Sequence, residues 1–211
     1  MTAHEERARQ ALVDIGRRLW LKGFVAGSDG NLSLRLDQDR LLVTPAGAAK
    51  GRLERSQIVL TDLAGSPLDG QRPSSELGMH LRVYRECPAV RACVHSHPPH
   101  ATAFAVAGIE PPADVLPEVV ALVGSIRLTA YAPPGTTAVG DSLEPYLFDS
   151  HAFILKNHGL LTVGASLEQA YNRHEIVESY CRILTIAKTL GSIDRLDPDE
   201  VDRLKKLAGD T

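Results

Sequence analysis

Three histidines and one glutamate in this chain of 211 residues have the types and spacing for metal chemistry. His95 and His97 are one residue apart in a predicted strand, where alternate side chains leave by the same face, so both imidazoles can reach one ion. His158 sits in a tight Asn157-His158-Gly159 turn between apolar runs, a costly place for an unpartnered imidazole. Glu76 stands at a predicted helix start, where its carboxylate can ligate the ion or leave it and act as a base. Three imidazoles with one carboxylate favour Zn²⁺ or a similar first-row ion over Mg²⁺ or Ca²⁺, which prefer oxygen cages. Read separately, the histidine pair is equally a polar strand end satisfied by neighbours or water, and His158 an ordinary turn residue. The four residues together argue for a shared ion.

A second group of residues concerns anions. Ser74 and Ser75 lie at a predicted helix N-terminus, where unpaired backbone N–H groups and the helix dipole attract negative charge and a phosphate would fit. Helix capping accounts for one of the two serines without any ligand. The turns GSDGN (27–31) and TPAG (44–47) can bring further backbone N–H groups to the same anion, although glycine turns also occur in any hairpin.

These residues need elements to hold them. A first amphipathic helix is predicted over residues 5 to about 22, with Ala8, Leu12, Ile15, Leu19 and Trp20 at helical spacing. The alternation Leu32, Leu34, Leu36 and the run LLVTP, joined by an Asp-Gln-Asp turn, predict a hairpin, and Ile58 to Leu60 a further strand. PSSELGMHLRVYRE reads as a helix capped by Ser74 or Ser75, with Leu77, Leu81 and Tyr84 inward. VRACVHSH reads as a strand buried on both faces, and PPHATAFAVAG as a short helix. Residues 111 to 135 suggest a loop and further strands around VVALVG and IRLTAY, and Asp141 or Ser142 opens another helix. HAFILKNHGLLTVG is strand, turn, strand. A capping box at Ser166/Gln169 starts a long helix through Ala170, Ile176, Val177, Tyr180, Ile183, Leu184 and Ala187, and a last short helix spans 198 to 207.

Composition narrows the function classes. The length fits one domain, residues 1–211, and 44% apolar residues is ordinary globular content. A net charge of −3, with no basic stretch interleaved with aromatics, argues against a nucleic-acid partner. No apolar run reaches membrane-spanning length, and the mixed-charge N-terminus is unlike a signal peptide, so no membrane association is expected. Three cysteines without CxxC spacing suit buried thiols in a reducing compartment, which implies a cytoplasmic location.

Taken in order, GNLS (30–33), TPAG (44–47), SSE (74–76), HSH (95–97) and NHG (157–159) resemble the class II aldolase/adducin family, and in particular its fuculose-phosphate aldolases. The resemblance runs from the first helix to about Leu190. It implies a three-layer α/β/α sandwich with a mainly antiparallel central sheet, and a homotetramer with active sites at subunit interfaces. It implies one Zn²⁺ per subunit on His95, His97 and His158, with Glu76 as resting ligand and catalytic acid/base, and a substrate phosphate held by Asn31, Gly47, Ser74 and Ser75. The implied reaction is aldol cleavage of a small ketose 1-phosphate, through an enediolate, to dihydroxyacetone phosphate and an aldehyde. Sugar-phosphate 4-epimerases and dehydratases share this site logic, whereas adducin-like binding domains lose the zinc ligands.

The chain departs from the fuculose enzyme in two places. Ala46 replaces the hydroxyl residue expected after Thr44-Pro45, and Lys50 is a candidate to compensate as a point charge. No tyrosine occupies residues 114–120 or follows Tyr180, where the fuculose enzyme uses tyrosines. Glu118 is a candidate substitute acid from a neighbouring subunit, and equally an ordinary exposed loop residue.

Overall fold

The computed structural model describes residues 2–209. Helix α1 (Ala3–Leu21) starts two residues earlier than its pattern, because the Thr2 hydroxyl accepts the Glu5 N–H. Its apolar stripe, Ala8, Leu12, Ile15 and Leu19, is buried, while Trp20 is half exposed. The hairpin is strands β1 (Asn31–Arg35) and β2 (Arg40–Val43), closed by Asp37, whose carboxylate accepts the N–H groups of Asp39 and Arg40. Strand β3 (Val59–Asp62) follows, then helix α2 (Leu77–Glu86), strand β4 (Ala92–Ser96) and helix α3 (Pro99–Ala107). Next come helix α4 (Pro117–Leu122), strand β5 (Ser125–Leu128) and helix α5 (Thr137–Leu143). Strands β6 (Ser150–Leu155) and β7 (Gly159–Gly164) precede the long helix α6 (Leu167–Leu190) and helix α7 (Pro198–Gly209).

The seven strands form one sheet in the order β3-β2-β1-β4-β7-β6-β5, antiparallel throughout except where β5 runs parallel to β6. One face packs α2 and α5 on Leu41, Val43, Cys93, Phe153, Leu161 and Val163. The opposite face carries α1 on Leu32, Leu42 and Val94, and α3, α4 and α6 on Ile126, Ala152, Ile154 and Leu160. This is the three-layer sandwich expected, since alternate side chains of each strand enter different cores. Each fully buried leucine, such as Leu12 or Leu19, contributes roughly 1.5–3 kcal/mol by leaving water.

Four local expectations are corrected. VVALVG is not a strand: Pro117 at the first helical turn, with its preset φ, starts α4 instead. Asp141 and Ser142 do not open a helix but lie in the last turns of α5, which begins at Thr137. Helix α2 begins at Leu77 with Glu76 at its cap and no side-chain capping bond, so neither Ser74 nor Ser75 caps it; the Ser74 hydroxyl accepts the Glu76 N–H one turn earlier. In α6, Ser166 caps as expected, but Ile183 is exposed rather than inward. All three cysteines are free, Cys93 and Cys181 buried and Cys87 half-buried. Among the described residues, no helix is long and apolar enough to cross a membrane.

Candidate functional site

The site grows from the centre of the sheet. His95 is fully buried on β4, opposite Asn31 of β1 and Leu161 of β7 in the ladders. His97 lies just beyond the strand end, its N–H donated to the Phe24 carbonyl. His158 comes from the β6–β7 hairpin, where Asn157 takes a left-handed φ of 56° and the His158 N–H closes the turn on the Leu155 carbonyl. The next residue must be glycine: a Cβ on Gly159 would lie 2.6 Å from His97 Cδ2 and 2.6 Å from the Ser96 carbonyl oxygen. Strand, strand end and hairpin thus bring the three rings together, with centroids 4.7–5.1 Å apart.

Their nitrogens form a group suited to one cation. One ligand atom from each of His95, His97 and His158 lies within 4.8 Å of the others. Glu76 reaches in from the cap of α2, its Oε2 3.4 Å from His95 Nε2 and its Oε1 3.2 Å from His158 Nε2. His95 Nδ1 is 2.9 Å from the Leu160 carbonyl and donates to it, which leaves Nε2 with a lone pair aimed at a carboxylate oxygen. Two acceptors facing each other in a buried site need a positive charge between them. His95 Nε2, His97 Nε2 and Glu76 Oε1 are all buried without a hydrogen-bond partner. A divalent ion of the zinc type satisfies all of these groups at once, so the residues fit the metal expected of them. Burial pushes the Glu76 carboxyl pKa up, but the imidazoles of His158 and His95 outweigh that and hold it well below the ordinary carboxylate range.

The residues expected to hold an anion adjoin this cluster in one cleft of about 480 Å³. Loops 28–31, 45–50 and 74–76 line it together with His97, His158, Pro134 and Gly135. Gly47, Ser74 and Ser75 all face this cleft, Gly47 with a φ of 70°. Asn31 lines it too, and its amide nitrogen donates to Glu76 Oε2 at 2.8 Å, so it orients the carboxylate. Lys50 is 2% exposed, and its ammonium donates to the carbonyls of Ser28 (2.9 Å) and Ala48 (2.6 Å). Burial lowers its pKa to about 8, partly offset by the charges of Asp29 and Glu76. Glu118 is not brought to the cleft of its own chain; it is exposed on the first turn of α4.

Sequence reasoning missed the polar residues packed behind the cluster. On the α2 side His80, one turn after Glu76, bonds the Ser33 hydroxyl (2.7 Å), which in turn bonds Tyr84 (2.7 Å). On the other side His174 of α6 accepts from the Ser96 hydroxyl (2.6 Å) and meets Thr162 (3.1 Å). Burial lowers both imidazole pKa values to about 3, so both stay neutral; as fixed dipoles His80 ties α2 to β1, and His174 ties α6 to β4 and β7. Only the spacing Glu76 to His80 hinted at this, and it equally suits a core residue. Asp29, 3.4 Å from His97 Nδ1, was also missed, hidden in a sequence that reads as a turn.

Comparison with known proteins agrees with this architecture. Residues 10–185 match the family described as Class II Aldolase and Adducin N-terminal domain. A 3-oxo-tetronate 4-phosphate decarboxylase of Pectobacterium atrosepticum is 34% identical over 186 residues, 86% of this chain and 85% of the relative. An L-fuculose phosphate aldolase of Methanococcus maripaludis is 34% identical over 178 residues, 84% of this chain and 96% of the relative. The crystal structure of YgbL from Klebsiella pneumoniae superposes with a TM-score of 0.88 at 36% identity, covering 97% of this chain and 99% of that one.

Proposed function

This chain belongs to the class II aldolase and adducin family, and on that premise we propose that it is a metal-dependent carbon–carbon lyase acting on a small sugar phosphate or sugar-acid phosphate. The observation that carries the reading is the convergence of His95, His97 and His158 on Glu76 at the wall of a cleft whose other end is lined by Gly47, Ser74, Ser75 and Lys50. A divalent ion held there, zinc in our reading, would supply Lewis acidity toward the substrate carbonyl. The chain's own groups do the rest. Ser74, Ser75 and the backbone at Gly47 hold the phosphate and set the distance from it to the carbonyl, spending its binding energy on alignment. Asn31 keeps the Glu76 carboxylate turned toward the reacting carbon. Glu76, once displaced by substrate, delivers the proton that converts the enediolate carbon to product.

Two cleavages share this half of the chemistry. In aldol cleavage of a ketose 1-phosphate, the C3–C4 electron pair moves toward the C2 carbonyl, an aldehyde leaves, and the enediolate of dihydroxyacetone phosphate takes up a proton. In decarboxylation of a 3-oxo-tetronate 4-phosphate, the C1–C2 pair moves toward the C3 carbonyl, carbon dioxide leaves, and the same three-carbon enediolate is protonated. The difference lies in the leaving fragment. An aldehyde forms only if a base removes a hydroxyl proton, whereas a carboxylate leaves as carbon dioxide with no such transfer. Among the described residues that line the cleft of one chain there is no tyrosine to act as that base, and decarboxylation needs none. Aldol cleavage would need a group from a neighbouring subunit, such as Glu118 in the homotetramer proposed from the family resemblance. Retention of all three imidazoles and the carboxylate weighs against an adducin-like binding role. Assaying metal-loaded protein on ketose 1-phosphates and on a 3-oxo-tetronate 4-phosphate, with dihydroxyacetone phosphate and carbon dioxide read separately, tests this. Release of both products from the sugar acid is expected; activity on neither substrate class would refute the lyase.

A further inference from the structure

His97 is held differently from its two partners. His95 is fixed by the Leu160 carbonyl and His158 by its hairpin, whereas the outer nitrogen of His97 faces a side chain, Asp29 Oδ2, at 3.4 Å. A carboxylate at that distance favours the proton on Nδ1 by its charge, which leaves the buried, unpartnered Nε2 lone pair for the cation. Asp29 is nevertheless 46% exposed and sits in a glycine-flanked loop, so its place must be fixed through the backbone. Three contacts do this. The Asp29 N–H donates to the Ala26 carbonyl. Gly30, at φ +73°, lies so close to β4 that a Cβ would be 2.6 Å from the His95 carbonyl oxygen. The buried Lys50 ammonium grips the Ser28 carbonyl, immediately before Asp29, while its second bond to Ala48 anchors it in loop 45–50. A buried ammonium is costly unless its bonds are needed, and here two of its three N–H groups are spent on loop backbone.

Building on the metal-site reading above, we propose that Asp29 is the positioning residue of His97, and that Lys50 acts on the metal centre through Asp29 by clamping the loop that carries it. The test is competition for Zn²⁺ between metal-free full-length protein and a chromophoric chelator, with metal-free melting temperatures as the control. Asp29→Ala should weaken zinc binding about 10–100-fold. Its melting temperature without metal should stay at the wild-type value, which loss of a merely structural contact would lower. Asp29→Asn, which keeps an acceptor oxygen beside His97 but lacks the charge, should recover part of the affinity. Lys50→Met should weaken zinc binding in the same direction, and the double variant should bind no worse than Asp29→Ala alone, because both act through one contact. Wild-type affinity in Asp29→Ala would overturn the role of Asp29, and additive losses in the double variant would overturn the route from Lys50. If Lys50→Met does not fold, Lys50→Arg takes its place in the cycle, and the two Asp29 variants decide their own claim regardless. Wild-type protein that binds no zinc would sink the metal reading itself. Binding lost in His97→Ala but retained in Asp29→Ala would sink only the present inference.

Discussion

The two ends of the cleft are built by opposite means. At the end of the histidine cluster, His95 is carried by the central strand of the sheet, its Nδ1 bonded to the Leu160 carbonyl, and His158 by a two-strand hairpin, while His80 and His174 tie the neighbouring strands to α2 and α6. At the end proposed to hold the anion, Gly47, Ser74 and Ser75 come from loops and Lys50 from the start of a 3-10 turn, held by a few backbone bonds and one buried ammonium. Strand-borne groups are fixed to fractions of an ångström by the ladder, whereas loop-borne groups can change without disturbing the core. In the proposed reading, the first end carries the carbon–carbon cleavage common to both candidate reactions, and the second, loop-built end is where substrates are told apart. Ala46, in place of a hydroxyl residue, is an alteration at the loop end that leaves the metal end complete.

Perturbing each end in turn should separate them. The largest effect is expected from His95→Ala, which removes the most buried candidate ligand: kcat/KM should fall about 10²–10³-fold or more, with bound zinc lost in elemental analysis. Glu76→Gln should lower kcat about 10²-fold while phosphate still protects the cleft with unchanged affinity; a change confined to KM would remove the carboxylate from proton transfer. Gly159→Ala tests the hairpin's close approach and should cost about 1–3 kcal/mol of stability, read as a lower melting temperature with and without metal. An unaltered melting temperature would mean that the rings have room the geometry denies them.

The smallest effect belongs to the anion end and depends on pH. The Lys50 pKa is lowered from 10.5 to about 8, so between these values the unfolded chain binds more protons than the folded one. Its contribution to stability is therefore least favourable below about pH 8 and improves as pH rises toward 10.5. Anion binding should move the other way, inorganic phosphate weakening about tenfold, ~1.4 kcal/mol, once the ammonium is neutral. Titrating phosphate affinity and melting temperature across this range checks both signs, and parallel changes would contradict the assignment to Lys50.

Much of the metal end was legible in the sequence because its signals are periodic: a two-residue strand spacing puts His95 and His97 on one side, and a glycine after His158 marks the hairpin. The parts that were not legible depend on contacts between distant segments. Nothing local in SDGN distinguishes an aspartate that closes a turn from one that faces His97 across the end of β4. His174 is 78 residues from Ser96 and joins it only because α6 packs on the sheet. The strand expected in VVALVG failed for a local reason, since apolar β-branched residues cannot outvote a proline that presets the first helical turn. The late start of α2 likewise follows from Glu76, whose side chain is drawn to the imidazoles rather than to the helix cap.

The shared cation is tested most directly by X-ray absorption at the zinc edge on protein saturated with zinc, alongside its three single histidine-to-alanine variants. One zinc per chain is predicted, with three nitrogen neighbours at about 2.0–2.1 Å and a carboxylate oxygen, and each alanine variant should lose either the ion or one nitrogen from its shell. A zinc shell that is the same in the wild type and in all three variants would contradict the account.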